Sequence, residues 1–300
     1  MWICKAPANI ALIKYMGKHS GNIPCNVSLS YTLSEFTTEV KLAQKNIADE
    51  FFSEELSEHE REKFLKHLAY IKKLCNFRGY FSINSKNSFP KSVGIASSAS
   101  SFAALTMCAF KAISEINGNS MPSVEYMSAV SRVGSGSSCR SFFAPWCIWR
   151  GEYATNINIP IDVEHELIFI SGRRKEISSS EAHERVKTSL LAQGRFERAE
   201  KRCDYLITAL TKGEWKSAYQ ICWEEFFDMH ALFETSDPHF GYILPKTLEA
   251  LIKIREFWEK YNDGPLVTID AGPNIHLLWR KEGNNKSDLC LRKKFHQLLS

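Results

Sequence analysis

Residues Gly94-Ile-Ala-Ser-Ser-Ala-Ser-Ser-Phe102 pass without a break into an apolar helical pattern, and their reading decides the fold. Upstream, Tyr80-Phe-Ser-Ile-Asn84 alternates like a half-buried strand, and Pro90 interrupts the chain before the glycine. The order is therefore strand, small-residue loop, helix. Small side chains let the backbone approach an anion, while free amides and serine hydroxyls at a helix start offer donors under the positive end of the helix dipole. Such a loop can hold phosphate. Serine is also a favoured N-cap, so a plainly capped helix reads the same way. No Walker lysine follows. The helix carries Phe102, Leu105, Cys108, Phe110, Ile113 and Ile116, apolar nearly all round, and stops at Asn117-Gly-Asn119, which predicts burial.

Around this stretch lie 300 residues, 44% hydrophobic and 24% charged, the proportions of a globular chain with one large or two medium domains. A net charge of +4 is too small to imply nucleic acid, which needs basic residues gathered on one face; anionic small molecules remain open. Nine cysteines, an odd number without C-x-x-C pairs or zinc spacing, fit reduced thiols in a cytoplasm. The start, Met1-Trp-Ile-Cys-Lys-Ala-Pro7, is unlike a signal peptide, and no run of about 18 apolar residues follows, so no membrane association is expected. Nothing repeats at a period of about 20 to 50 residues.

Along the chain, Ala6 to Lys18 reads as an early strand ending in a turn, with Tyr15 between Lys14 and Lys18, a spacing suited to phosphate groups or simply to solvent. Ser28–Leu33 and Phe36–Leu42 read as two strands of a meander. Residues 57–76 read as a surface helix with a solvated charged face. Gly134-Ser-Gly-Ser-Ser-Cys-Arg-Ser-Phe142 is a second serine and glycine loop, whose Arg140 beside Phe142, Phe143 and Trp146 could grip a carboxylate or phosphate, or form a structural ion pair. Glu166–Ser171 reads as a buried strand, near which a domain boundary is expected, dividing the chain into 1–165 and 166–300. Helices are expected over about 195–211, 214–233 and 245–260. The Arg173-Arg-Lys175 cluster reads mainly as a solvated turn, and His230 and His239 mainly as structural histidines. Asp270 is the anomaly: a charge at the end of the apolar strand Leu266-Val-Thr-Ile269, before the turn Gly272-Pro-Asn274. A buried carboxylate must be paired or shift its pKa, although aspartates also start turns.

In this order the motifs resemble the diphosphomevalonate decarboxylases of the GHMP kinase superfamily. The stretches that carry the resemblance are Ala6–Lys18, Asn26–Ser30, Asn87-Ser-Phe-Pro90 with Gly94–Ser100, Gly134–Ser141, Lys175–Ser179, Thr188-Ser189 and Ile269–Asn274, nearly the whole chain. The resemblance implies an α+β, two-domain GHMP-kinase-like fold with the active site in the interdomain cleft, and a homodimer. It implies ATP with Mg2+, and phosphorylation of the 3-hydroxyl of mevalonate 5-diphosphate followed by loss of phosphate and CO2. Asp270 would stand beside the hydroxyl, Arg140 on the substrate carboxylate and Lys14 near the transferring phosphate. Tyr15, Lys18, Ser135, Ser137 and Ser189 would hold substrate. Asn87, Gly94, Ser97, Ser98 and Ser100 would hold ATP. Related enzymes act on mevalonate 5-phosphate or stop after 3-phosphorylation. Met16, Lys91-Ser-Val93, Ser101 and Ala144-Pro145 depart from the family pattern without removing any of these groups.

Overall fold

The computed structural model describes residues 1–52, 57–89, 97–173, 176–281 and 286–299. Gly94 with its neighbours, and Arg174 and Lys175 of the basic cluster, lie outside the described residues.

The first unit is a six-stranded sheet backed by helices. Strand β1 (Trp2–Ile13) runs antiparallel to β2 (Ser28–Lys45) along most of its length. The two strands expected in this region are one. β2 continues through residues 34–36 because the register slips there, Pro7 facing Thr37 and Ala8 facing Leu33, so the extra residues bulge while pairing resumes on both sides. The other edge of β2 pairs with β4 (Tyr80–Asn87) and β5 (Trp146–Arg150), flanked by the short β3 (Glu50–Phe52) and by β6 (Tyr153–Asn156).

Helix α1 (Glu58–Leu74) starts at a capping box, Glu60 N–H on the Ser57 hydroxyl and Ser57 N–H on the Glu60 carboxylate. Helix α2 (Ser97–Asn117) is buried over most of its circumference, as its apolar sequence requires, and lies between the sheet and helices α1 and α3 (Val124–Gly134). The second serine and glycine stretch is not an open loop. Gly136–Phe142 is wound into a 3-10 helix, in which Ser138 Oγ donates to the Ser135 carbonyl at 2.6 Å and lies 2.9 Å from Ser131 Oγ.

The second unit is a three-stranded antiparallel sheet, β7 (Val163–Ile168), β9 (Ile275–Arg280) and β8 (Leu266–Ile269), covered by α5 (Arg195–Lys212), α6 (Trp215–Glu234) and α7 (Pro245–Tyr261). Between β7 and α5 lies the short α4 (Ser179–Arg185), and α8 (Lys286–Leu299) ends the chain. β7 begins at Val163 and is half-buried, rather than a buried strand from Glu166. The two units share one apolar core: Ile10, Leu12 and Ile13 of β1 pack with Leu206, Phe226, Val267 and Leu278. Thr268 Oγ1 of β8 donates to the Ala11 carbonyl at 3.2 Å, which brings the end of β8 to the end of β1. No helix among the described residues is long and apolar enough to cross a membrane.

Candidate active site

Where β1 ends, the backbone of Lys14 is fixed from three sides. Its N–H donates to Glu225 Oε1 at 2.9 Å, and its carbonyl accepts from Asn26 Nδ2 at 2.9 Å and from Arg195 Nη2 at 3.4 Å. Glu225 and Arg195 form a fully buried ion pair between α6 and α5, joined by Arg202. A buried pair of this kind contributes little net stability, but losing one partner costs several kcal/mol, so it serves here as a rigid anchor. The Lys14 side chain, 2% exposed, then reaches Asp270 Oδ1 at 2.6 Å. Asp270 follows β8 directly, its carbonyl accepting from Gly272 N–H at 2.7 Å with His230 Nε2 at 3.2 Å.

Burial pushes the Lys14 pKa down and Asp270 opposes it. For Asp270, burial favours the neutral acid, but Lys14, His276 and Arg140 outweigh it and hold the carboxyl down at about 2. The aspartate is ionised in the folded protein. Arg140, at the exit of the 3-10 helix, is buried with Nε donating to Asn9 Oδ1 at 3.0 Å and Nη1 to Ser28 Oγ at 2.5 Å, while its guanidinium lies 5.9 Å from the Trp149 ring. Asn9 is itself turned by a bond from Nδ2 to Ser141 Oγ at 2.8 Å. Nη2 has no hydrogen bond among the described residues and is free for a ligand.

Lys14, Asp270 and Arg140 open onto a cavity of about 320 Å3 between the two units, a size that suits a small metabolite. In the same cavity Tyr15 is clamped between the rings of Trp149 and His183, centroids 4.6 Å and 4.4 Å away, its buried hydroxyl without a hydrogen-bond partner among the described residues. Lys18 Nζ donates to Asn22 Oδ1 at 3.0 Å, and Asn22 Nδ2 in turn donates to the carbonyls of Arg132 and Val133 on α3. Gly21 and Asn22 take left-handed φ of +67° and +58°, which turns the chain tightly enough for this docking. Lys63 of α1, close enough to Lys18 to lower its pKa, also lines the cavity, as do Ser98, Ser135 and Ser137. Ser135 Oγ lies 3.5 Å from Ser98 Oγ, so the two serine motifs of the sequence meet.

Of the expected site residues, Lys14, Tyr15, Lys18, Ser98, Ser135, Ser137, Arg140 and Asp270 share this wall. Ser97 and Ser100 stand in the first turn of α2 without lining the cavity; Ser100 is buried, its hydroxyl 2.7 Å from Thr38 Oγ1 and 3.1 Å from the Ser97 carbonyl. Asn87 ends β4 and accepts from the same Thr38 at 2.7 Å. Ser189 is buried against Thr235, 2.6 Å between hydroxyls, and accepts from Leu191 N–H at 3.1 Å, outside the cavity wall. His230 backs Asp270, whereas His239 is exposed. Sequence reasoning missed Asn9, Asn22, Lys63, His183 and Glu225. Glu225 had a signal: it falls on the buried face of α6 with Cys222, Phe226 and Met229, where an unpaired carboxylate could not stay.

Two units meeting at a cavity lined by Ser98 of a helix start and by Lys14, Asp270 and Arg140 have the architecture of the GHMP-kinase class. Residues 6–159 match the diphosphomevalonate decarboxylase-like N-terminal domain, and residues 167–298 the mevalonate 5-diphosphate decarboxylase C-terminal domain. The chain belongs to the diphosphomevalonate decarboxylase family. It is 30% identical to diphosphomevalonate decarboxylase of Debaryomyces hansenii, over 94% of this chain and 80% of that one. The crystal structure of a mevalonate diphosphate decarboxylase from Legionella pneumophila is 45% identical, covers 99% of this chain and 96% of its own, and superposes with a TM-score of 0.92. The structure of MDDEF in complex with MVAPP, AMPPCP and magnesium is 29% identical, with 99% and 92% covered and a TM-score of 0.87.

Proposed function

We propose that the protein converts mevalonate 5-diphosphate and ATP to isopentenyl diphosphate, ADP, phosphate and CO2. The observation that carries this reading is the Lys14–Asp270 ion pair beside the unfilled fork of Arg140. The substrate carries a carboxylate and a tertiary hydroxyl at one end and a diphosphate at the other. The cavity has one cationic cluster for each end, Lys14 with Arg140, and Lys18 with Lys63.

Arg140, oriented by Asn9 and Ser28, grips the carboxylate through its free edge. Asp270 accepts a hydrogen bond from the 3-hydroxyl and aligns its oxygen with the γ-phosphorus. A bond forms from that oxygen to phosphorus, the bond to the β-phosphate oxygen breaks, and the hydroxyl proton passes to Asp270. Lys14 neutralises charge on the transferring group. The C3–O bond of the phosphorylated substrate then breaks with its electrons on the departing phosphate, while the C1–C2 pair moves into the C2–C3 double bond and CO2 leaves. An aspartate held ionised by Lys14 is a weak base, so its main work is orientation. Tyr15, Lys18, Ser135 and Ser137 hold the diphosphate end, and Ser97, Ser98 and Ser100, with Gly94 and Asn87, form the ATP-phosphate region. Ser100 and Asn87 support its backbone through Thr38, and Ser189 supports the wall through Thr235.

Among the described residues no three His, Cys, Asp or Glu side chains gather into a metal cage. That suits magnesium carried on nucleotide phosphates, which needs only one or two protein oxygens; Ser98 and Asp270 offer them. The ion would neutralise charge on the β- and γ-phosphates. In this reading residues 1–165 bind the nucleotide, residues 166–300 supply Asp270, and the protein works in the cytoplasm as a homodimer. The test is incubation with ATP and mevalonate, its 5-phosphate or its 5-diphosphate, measuring ADP and CO2. Equal ADP and CO2 with the 5-diphosphate is the expected result; ADP without CO2 would demote the protein to a kinase.

A further inference from the structure

We propose that His183 is a substrate-binding residue, whose Nε2–H donates a hydrogen bond to the phosphate end of the substrate that Lys18 neutralises. The inference deepens the decarboxylase reading and rests on it. The ring forms part of the cavity wall, is 7% exposed, and packs on Tyr15 at 4.4 Å between centroids. The backbone N–H of Gly17 points at Nδ1, 3.0 Å away. A peptide N–H can only donate, so Nδ1 must carry the lone pair, and a neutral imidazole then has its proton on Nε2. The backbone thus fixes the tautomer. Nε2 has no hydrogen-bond partner among the described residues, and the ring lines the cavity, so its N–H is available to an acceptor on a ligand.

Neutrality has its own cause. Burial, with Lys18 and Lys187 close by, pushes the ring down to about 3, so His183 adds a directed donor and no charge. The Tyr15 hydroxyl, buried and without a partner among the described residues, and the Lys18 ammonium belong to residues that line the same cavity. Three donors of different geometry suit an acceptor with several oxygens, a phosphate group, better than a hydroxyl or an apolar chain. His183 sits on a helix of only seven residues whose start is capped by Ser178, Glu181 N–H to Oγ at 3.2 Å, so the ring is placed by packing and by Gly17.

The test uses the whole protein, 15N-labelled at histidine, titrated with mevalonate 5-diphosphate in the absence of nucleotide. Before addition, His183 should show the Nε2–H tautomer; on addition its Nε2 resonance should shift with the ligand's affinity. In kinetics, His183→Met should raise the KM for mevalonate 5-diphosphate about tenfold or more, with kcat and the KM for ATP changed much less, because one hydrogen bond to a charged group is lost. His183→Gln, with a carbonyl for Gly17 and an amide for the ligand, should recover most of the affinity. Melting curves show whether His183→Met is folded; if it is not, the titration of the unsubstituted protein and His183→Gln decide. A ring that ignores the ligand, or a folded His183→Met with unchanged KM, overturns the proposal. A responding ring in a protein that releases no CO2 would count against the decarboxylase reading and for the phosphate site.

Discussion

The more deeply buried charged groups of the cavity are each held by another part of the protein: Lys14 by Asp270, its backbone by Glu225 and Asn26, and Arg140 by Asn9 and Ser28. Around Lys18 the groups wait: among the described residues the Tyr15 hydroxyl has no hydrogen-bond partner, and the hydrogen bond of the Lys18 ammonium goes to the neutral Asn22. Burial and the neighbouring Lys63 and Lys187 push the Lys18 pKa down, with Glu184 opposing. The difference matches what each set of groups is proposed to do. Aligning a hydroxyl for phosphoryl transfer demands fixed geometry before the substrate arrives, whereas holding a polyanion needs donors left unsatisfied so that binding satisfies them.

Substitutions among the deeply buried groups should therefore strike turnover. Asp270→Asn keeps the shape and removes the charge, so kcat should fall about 100-fold or more while the KM for substrate moves little. The same change leaves Lys14 buried without a counter-ion, and the melting temperature should drop with it. Near-normal turnover in a folded Asp270→Asn would break the comparison at once. Arg140→Lys should come next, with kcat/KM down at least about tenfold, because an ammonium cannot bond Asn9 and Ser28 and still present a fork to a carboxylate.

A third expectation concerns acid. His67, His183, His230 and His276 are buried, and desolvation holds them at about 4, 3, 4 and 3. Their folded pKa values lie below the unfolded value of about 6.5, so between the two the unfolded chain binds more protons and stability rises with pH. Stability should thus be full near neutrality and fall as the pH drops below about 6.5, each group adding about 1.4 kcal/mol per pH unit inside its window. Asp270 acts in the same direction but only as the pH falls from about 4 towards 2. Urea midpoints at pH 7, 6 and 5 check this; a flat series would mean that the rings are not buried as described. His183→Gln should make the decline shallower, since it removes one of the four.

Much of this was legible in the sequence. Asp270 was conspicuous because a charge closes an apolar strand, although aspartates also start turns, and Arg140 because it stands among aromatics; both lie in the cavity wall. The helices 58–74, 195–212 and 215–234 followed from their apolar periodicity. What escaped depends on partners remote in sequence. A bulge that joins two short runs into the single strand β2 is set by its pairing with β1, which no local pattern records. The serines of 135–141 read as a loop because serine favours turns, yet the Ser138 hydroxyl bonds back to the Ser135 carbonyl and helps wind the segment up. Lys63 looked like one charge on a solvated face, and His183 carried no signal of its own; only the approach of Lys18 and Gly17 gives them meaning.

The finest form of the comparison lies within one helical turn. Ser98 faces the cavity with its hydroxyl 3.5 Å from that of Ser135, whereas Ser100, two residues on, is turned inward and bonded to Thr38 and the Ser97 carbonyl. Ser98→Ala removes a donor that a phosphate would use, so the KM for ATP should rise by the equivalent of about 1 to 3 kcal/mol if the bond is charge-assisted, with the melting temperature unchanged. Ser100→Ala should do the opposite, because it deletes buried hydrogen bonds that join α2 to β2 and leaves the Thr38 hydroxyl with Asn87 as its remaining close partner. Its cost should appear in unfolding, at about 1 kcal/mol, and in ATP use only as far as the first turn of α2 shifts. Equal effects of the two substitutions on the KM for ATP would mean that the helix start, and not the Ser98 hydroxyl, holds the nucleotide.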